Sequence, residues 1–299
     1  MYIIEQLRKI IANSNSDNCI RKVGVVIFLD ALGTKRLGTE ESCEFIKKRA
    51  NFLEEVHYIR DKRAKAFKCE LGVNLPNLDI ALFQDSIIIS WEEPEPKQLS
   101  ETYHFSFFQA AGQFLIDTIT EAIRRDLYFR GAISQGEYVV NISKKNVTII
   151  GPAVADAADF FEIVDWVGVI QTPNFQEKYL SYLKSIAEKD RIRLGLPIGV
   201  EDVINKYNFL FVKYPVPLSA KNVDPSSAKI GSSVKKEFYV SSWPVMACKI
   251  EPKISILNIL RNKAISELPA YRSKYVNSYQ FLEWYKTQFW EELKKRPGE

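Results

Sequence analysis

Two aspartates close two strongly apolar runs: Asp30 in VGVVIFLDALG and Asp85 in DIALFQDSIIISW. Runs of this kind are strands buried on both faces, and a carboxylate at the end of one stands where burial stops and a site can begin. Two carboxylates brought together from adjacent strands repel each other unless a cation lies between them. Their hard oxygen donors suit Mg²⁺ or Mn²⁺. Taken singly, an aspartate in such a place is more often simply a strand-end or turn residue. Other metal chemistry is poorly supplied. Cys19, Cys43, Cys69 and Cys248 lie far apart with no CxxC spacing, and His57 and His104 are the two histidines. That pattern argues against a zinc site and reads as buried thiols of a reducing compartment.

The elements that must position the pair follow from periodicity. A strand is expected from Val23 to Asp30, then an amphipathic surface helix from about Glu40 to Phe67, broken once, with Phe45, Phe52, Leu53 and Val56 at helical spacing. Strands at Asp79 to Phe83 and Ser86 to Trp91 form a hairpin with Gln84 and Asp85 at its tip. A helix near Leu99 to Arg125 carries Phe107, Phe108, Ala111, Phe114 and Leu115 as an apolar stripe. After it come a strand at Tyr128 to Val139, a turn with Lys144 and Lys145, the short strand VTIIG, an Ala-rich helix opening at Pro152, and the strand WVGVIQ. This order predicts an α+β fold, a ferredoxin-like or palm sheet, antiparallel-dominated, with helices on one face.

Beyond Asn174 the pattern predicts a helix at Gln176 to Lys189, strands at Phe209 to Lys213 and Phe238 to Ser242, and helical C-terminal additions. The last helix places Phe281, Leu282, Tyr285, Phe289 and Leu293 on one face, with Trp284 and Trp290 beside it, which reads as packing. The expected division is a helix and linker over 1–22, a catalytic domain over 23–245 with its core motifs in 23–172, and a helical extension over 246–299 for packing or dimer contact.

At 299 residues and 46% hydrophobic content the chain can bury a substantial core. A net charge of +4, from 41 basic and 37 acidic residues, does not call for a nucleic-acid polymer, yet it tolerates a polyanionic small molecule such as a triphosphate. No stretch approaches membrane-spanning length, and MYIIEQLRKIIANS reads as a short amphipathic helix rather than a signal peptide. A cytoplasmic protein without a membrane partner is expected.

FLDALGT (Phe28 to Thr34) resembles the first metal motif of class III nucleotidyl cyclases, the adenylate and guanylate cyclase catalytic domains, and FQDSIIIS resembles their second. RGAISQGE (Arg130 to Glu137) looks like the family's fourth-strand motif, and IIGPAVADAADFFE followed by WVGVIQTP has the shape of its Gly, Ala-rich helix and next strand. The likeness runs from Val23 to Thr172. It implies that Asp30, Asp85 and the Ala31 carbonyl bind two divalent cations, with backbone amides of Leu32, Gly33 and Thr34 cradling phosphates. A ribose hydroxyl then attacks the α-phosphate and pyrophosphate leaves. It also implies a homodimer with shared active sites, and a phosphate-binding cation from the late strands: Lys213, or else Lys235 or Lys236.

The departures from the pattern narrow the substrate. The family's base-selecting positions fall on Ala81 and Thr148, neither of which can make the hydrogen bonds that pick out adenine or guanine. The family's transition-state Asn and Arg fall on Ala155 and Asp159, so Arg130 or a lysine would have to stand in. Three readings follow. One is a pyrimidine cyclase (UTP or CTP), of the kind that makes bacterial antiphage signals. The others are a palm-type nucleotidyltransferase making cyclic dinucleotides or oligonucleotides, and an inactive cyclase-like module that binds a nucleotide or a protein.

Overall fold

A computed structural model of the chain describes residues 19–71, 75–94, 101–143, 146–194, 210–219, 235–250, 255–267 and 269–290. The central strand β1 (Cys19–Ala31) is buried on both faces from Val25 to Leu29, as its unbroken apolar run requires. It pairs antiparallel with β3 (Ser86–Glu92) on one side and β4 (Phe129–Ile142) on the other. β2 (Leu78–Phe83) flanks β3, and β5 (Val147–Ile150) pairs with the far part of β4. β6 (Gly168–Gln171) runs parallel to β4, and β8 (Lys235–Ser241) and β7 (Phe211–Pro217) carry the sheet onward. The order is β2-β3-β1-β4-β6-β8-β7, an eight-stranded and mostly antiparallel sheet in an α+β fold.

Two helices, α1 (Thr39–Leu71) and α2 (Glu101–Arg124), cover one face. Trp91, opposite Val25 in the ladder, packs edge-on against Phe107 and Phe114 of α2 at 5.8 and 5.7 Å. Phe129, opposite Ala31, stacks on Phe52 of α1 at 5.5 Å. The expectation of helices on one face holds for this pair, whereas α3 (Pro152–Phe161) lies on the other face. There Phe28 stacks on Phe161 with centroids 4.8 Å apart. Strand side chains alternate between faces, so Phe28 and Asp30 share the α3 face. α4 (Pro173–Leu194) joins the α2 layer, with Phe175 and Tyr182 against Phe108 at 5.3 and 5.7 Å.

Three further helices, α5 (Pro244–Ile250), α6 (Ile256–Ser266) and α7 (Pro269–Tyr285), close the structure, and α7 continues as a π-helical turn over Lys286–Trp290. The aromatic face of α7 is internal: Phe281 is fully buried among Trp166, Tyr214 and Trp243, with centroids 4.7 to 5.9 Å away. Truncating such a ring leaves a cavity that costs about 3–5 kcal/mol.

Several expectations change. α1 is one unbroken helix, and its sequence contains no Pro or Gly that would break it. β1 begins at Cys19, so residues 19–22 belong to the sheet rather than to an N-terminal linker. Cys19, Cys43 and Cys69 are exposed, and only Cys248 is a buried thiol. Residues 1–18, the Lys144–Lys145 turn and Leu293 lie outside the described residues. Among the described residues no helix is long and apolar enough to cross a membrane.

Candidate active site

One row of the sheet gathers the chemistry. In the β1 ladders Asp30 stands opposite Ser86 of β3 on one side and Arg130 of β4 on the other, and the row ends at Gly168 of β6. Residues paired across a sheet share a face, so Ser86, Asp30 and Arg130 point the same way. Ser86 Oγ donates to Asp30 Oδ1 at 3.2 Å. Arg130 Nε donates to Asp30 Oδ2 at 3.1 Å, its Nη2 lies 3.1 Å from the same oxygen in an ion pair, and its guanidinium lies 5.0 Å over the Phe161 ring. Gly131 makes this close approach of β4 possible, because a Cβ there would lie 2.3 Å from the Phe28 carbonyl oxygen.

Asp85 comes from the β2–β3 hairpin, where Gln84 takes a left-handed conformation with φ 53. Its carbonyl accepts from the Ala31 amide at 3.3 Å, which ties the hairpin tip to the end of β1. Thr34 Oγ1 donates to Asp85 Oδ2. The two carboxylates feel each other. Burial pushes the Asp30 carboxyl up from its ordinary value, Arg130 and Ser86 pull it back, and the Asp85 charge adds to the rise. The connecting turn depends on Gly33, whose φ of 85 is reached without strain only by glycine, and a 3₁₀ turn over Thr34–Arg36 follows it.

The donor set fits a hard divalent cation. Among the described residues there is no group of three or more His, Cys, Asp or Glu side chains able to hold a metal. A cation here would rest on Asp30, Asp85, the Ala31 carbonyl and the oxygens of a bound phosphate, the kind of shell in which Mg²⁺ is commonly held. Of the three amides expected to cradle phosphate, the Leu32 amide is committed to the Tyr128 carbonyl at 2.8 Å. Those of Gly33 and Thr34 remain candidates.

The other expected residues stand apart from this row. Ala81 is buried on β2 opposite Ile88, in the same row as Phe28, and therefore on the Asp30 face of the sheet. Thr148 is half-buried on β5 opposite Asn141, and β5 is in contact with β2. Ala155 is half-buried and Asp159 exposed on α3. Lys213 lies on the edge strand β7, four strand positions from β1, exposed and 3.3 Å from Glu237. Lys235 and Lys236 are exposed at the start of β8, and the Lys236 ammonium sits 5.5 Å from the Phe238 ring. Within one chain none of the three lysines meets the aspartate pair.

Sequence reasoning did not single out a fourth lysine. Lys274 of α7 is half-buried, and the charges of Arg130, Asp165, Asp30 and Lys35 all act on it. Burial lowers its ammonium from the usual value, with Arg130 as the next cause. No local pattern marks it, because α7 reaches the site only through tertiary packing.

No family model matches the chain, and no curated protein matches it. Solved structures do. The catalytic core of a rhodopsin-guanylyl cyclase with converted specificity, in complex with ATPαS, matches with a TM-score of 0.37 at 13% identity, over 75% of this chain and 97% of that one. The non-canonical dimeric guanylyl cyclase domain of RhoGC from the aquatic fungus Blastocladiella emersonii gives 0.38 at 12% identity, over 75% and 96%. A Trypanosoma brucei adenylate cyclase in its monomeric state gives 0.34 at 11%, over 78% and 93%. Likeness of this degree carries no residue roles across.

Proposed function

We propose that the protein is a nucleotidyl cyclase that converts a pyrimidine nucleoside triphosphate, UTP or CTP, to a cyclic mononucleotide and pyrophosphate. The observation that carries this reading is the meeting of Asp30 and Asp85 at one sheet end, beside the Gly33 turn and Arg130. Two divalent cations held by these carboxylates and the Ala31 carbonyl would activate the ribose 3′-hydroxyl and neutralise the triphosphate. The 3′-oxygen bonds to the α-phosphorus as the bond to the bridging oxygen breaks, releasing pyrophosphate and a proton. Arg130 holds Asp30 in place before the site is loaded, then turns toward the charge developing on the phosphate. The Gly33 and Thr34 amides would be the backbone donors for the terminal phosphates.

The base preference rests on Ala81 and Thr148. A buried methyl and a single hydroxyl leave a purine's donor and acceptor edge unread, and the smaller pyrimidine loses less. Because Lys213 sits four strands from the carboxylates, a role for it requires a second chain, in keeping with a homodimer with shared sites. An antiviral signalling role for the product follows from the sequence resemblance alone. A second reading, an inactive module that binds a nucleotide, is favoured by Ala155 and the exposed Asp159 on α3.

The test is incubation with each nucleoside triphosphate and Mn²⁺, with the products read by mass spectrometry. A cyclic pyrimidine mononucleotide is expected, absent in Asp30→Ala. A cyclic dinucleotide, a purine product or no product would each reject the proposal, and activity surviving in Asp30→Ala would reject the metal assignment.

A further inference from the structure

We infer that Lys274, from the C-terminal helix of the same chain, is the cation that grips the polyphosphate of the bound nucleotide, a part the sequence resemblance gives to a late-strand lysine. This rests on the reading of the site as a triphosphate site. The placement is fixed by anchors on both sides of Lys274. Ser273 Oγ donates to Asp165 Oδ2 at 2.8 Å, Asn277 Nδ2 donates to the Asp165 carbonyl at 2.7 Å, and Ser278 Oγ accepts from the Val167 amide at 2.7 Å. Asp165 and Val167 lead directly into β6, whose Gly168 stands opposite Arg130, so α7 crosses the sheet where the Asp30 row ends. Tyr275, the next residue, packs edge-on against Tyr128 at 5.0 Å, and its hydroxyl lies 3.9 Å from where a Cβ on Gly33 would be. The helix therefore passes beside the Gly33 turn, and Lys274 sits half-buried between these anchors, next to the end of the Asp30 row.

The surroundings suit an anion with several charges. Arg130 brings positive charge to Asp30 from β4, and Lys274 adds a second source from α7. A half-buried ammonium on a flexible stem is the usual point-charge partner of phosphate, and its contacts strengthen as water is excluded. Lys213 and Lys236 are exposed strand lysines with partners of their own, and they lie outside this cradle.

The base need not be known to test this. Inorganic tripolyphosphate, titrated calorimetrically into the whole chain with and without Mg²⁺, probes the phosphate subsite alone. Lys274→Gln is expected to weaken Mg²⁺-dependent binding by roughly 10–100-fold, the scale of one charge-assisted contact, and Lys274→Arg to stay within about threefold. Lys274→Met, which keeps the apolar stem, serves as the second neutral variant if Gln disturbs the helix. Thermal unfolding of each variant separates a structural ion pair with Asp165 from a ligand contact, since the former moves the melting temperature and leaves affinity alone. Unchanged affinity in folded Lys274→Gln or Lys274→Met overturns the inference while the triphosphate site stands. A wild-type chain that binds no tripolyphosphate in Mg²⁺ overturns both.

Discussion

β1 ends in two polar clusters that treat charge in opposite ways. At the far end of its buried stretch, Glu93 is enclosed: His104 Nδ1 lies 3.0 Å from Oε1, Gln135 Nε2 donates to Oε2 at 3.1 Å, and the Tyr182 hydroxyl donates at 3.5 Å. His104 in turn stacks on Tyr182, 5.4 Å between centroids, and the side chains of Glu93 and His104 are each 5% exposed. Every polar atom of that carboxylate is met by the protein, so the cluster closes on itself and fixes the strand end. At the near end Asp30 and Asp85 stand together, with Arg130, Ser86 and Thr34 as partners and with part of each side chain open to solvent. A satisfied network stabilises a fold; two neighbouring like charges with an open side invite a ligand.

Substitution at the two ends of the buried stretch of β1 separates the clusters most clearly. Asp30→Asn should reduce cation-dependent turnover by about 10³-fold or more, since several kcal/mol of transition-state stabilisation pass through the metal, while denaturant unfolding shifts by less than about 1 kcal/mol. Glu93→Ala should do the reverse, lowering stability by about 3 kcal/mol as its buried partners lose their acceptor, with Mg²⁺ affinity of the folded protein unchanged. If both variants lost stability alike, the distinction between a closed and an open cluster would fail.

The pH response sharpens the same contrast. The Asp30 carboxyl is raised above its ordinary value of 3.8, so the folded chain holds a proton there at pH values where the unfolded chain has released it. Stability from this group therefore falls as pH rises from the unfolded to the folded value, and cation affinity falls as pH drops through the folded value. Calorimetric titration of Mg²⁺ at about pH 7.5 and about pH 5 should show clearly weaker binding at the lower pH, and Mg²⁺ should restore the stability lost on the alkaline side. A flat response would mean that Asp30 is not the ligand. The smallest effect is expected at Thr34→Val: losing one hydrogen bond to Asp85 should weaken Mg²⁺ binding roughly three- to tenfold, read by the same titration.

Much of the scaffold was legible because its signals are local. The run from Val25 to Leu29 had to be buried on both faces, and the Gln84–Asp85 pair between two apolar runs had to turn. The meeting of Asp30 with Arg130 was less so, because register between β1 and β4 is fixed by the pairing of whole strands rather than by either motif. The predicted break in α1 had no Pro or Gly behind it, and the helix runs through. Lys274 was invisible for a different reason. Its neighbours in sequence are ordinary helix residues, and its role comes from Ser273, Asn277 and Ser278 binding Asp165 and Val167, far back along the chain.

That last docking has a consequence for biosynthesis. The carboxylates leave the ribosome early and α7 late, with most of the chain between them. A nascent polypeptide can thus fold its first strands and helices while its phosphate-binding end is still a gap, since domains acquire structure as they emerge. The site is completed by a helix that appears long after its carboxylates, so a chain truncated before α7 keeps its aspartates and lacks the lysine.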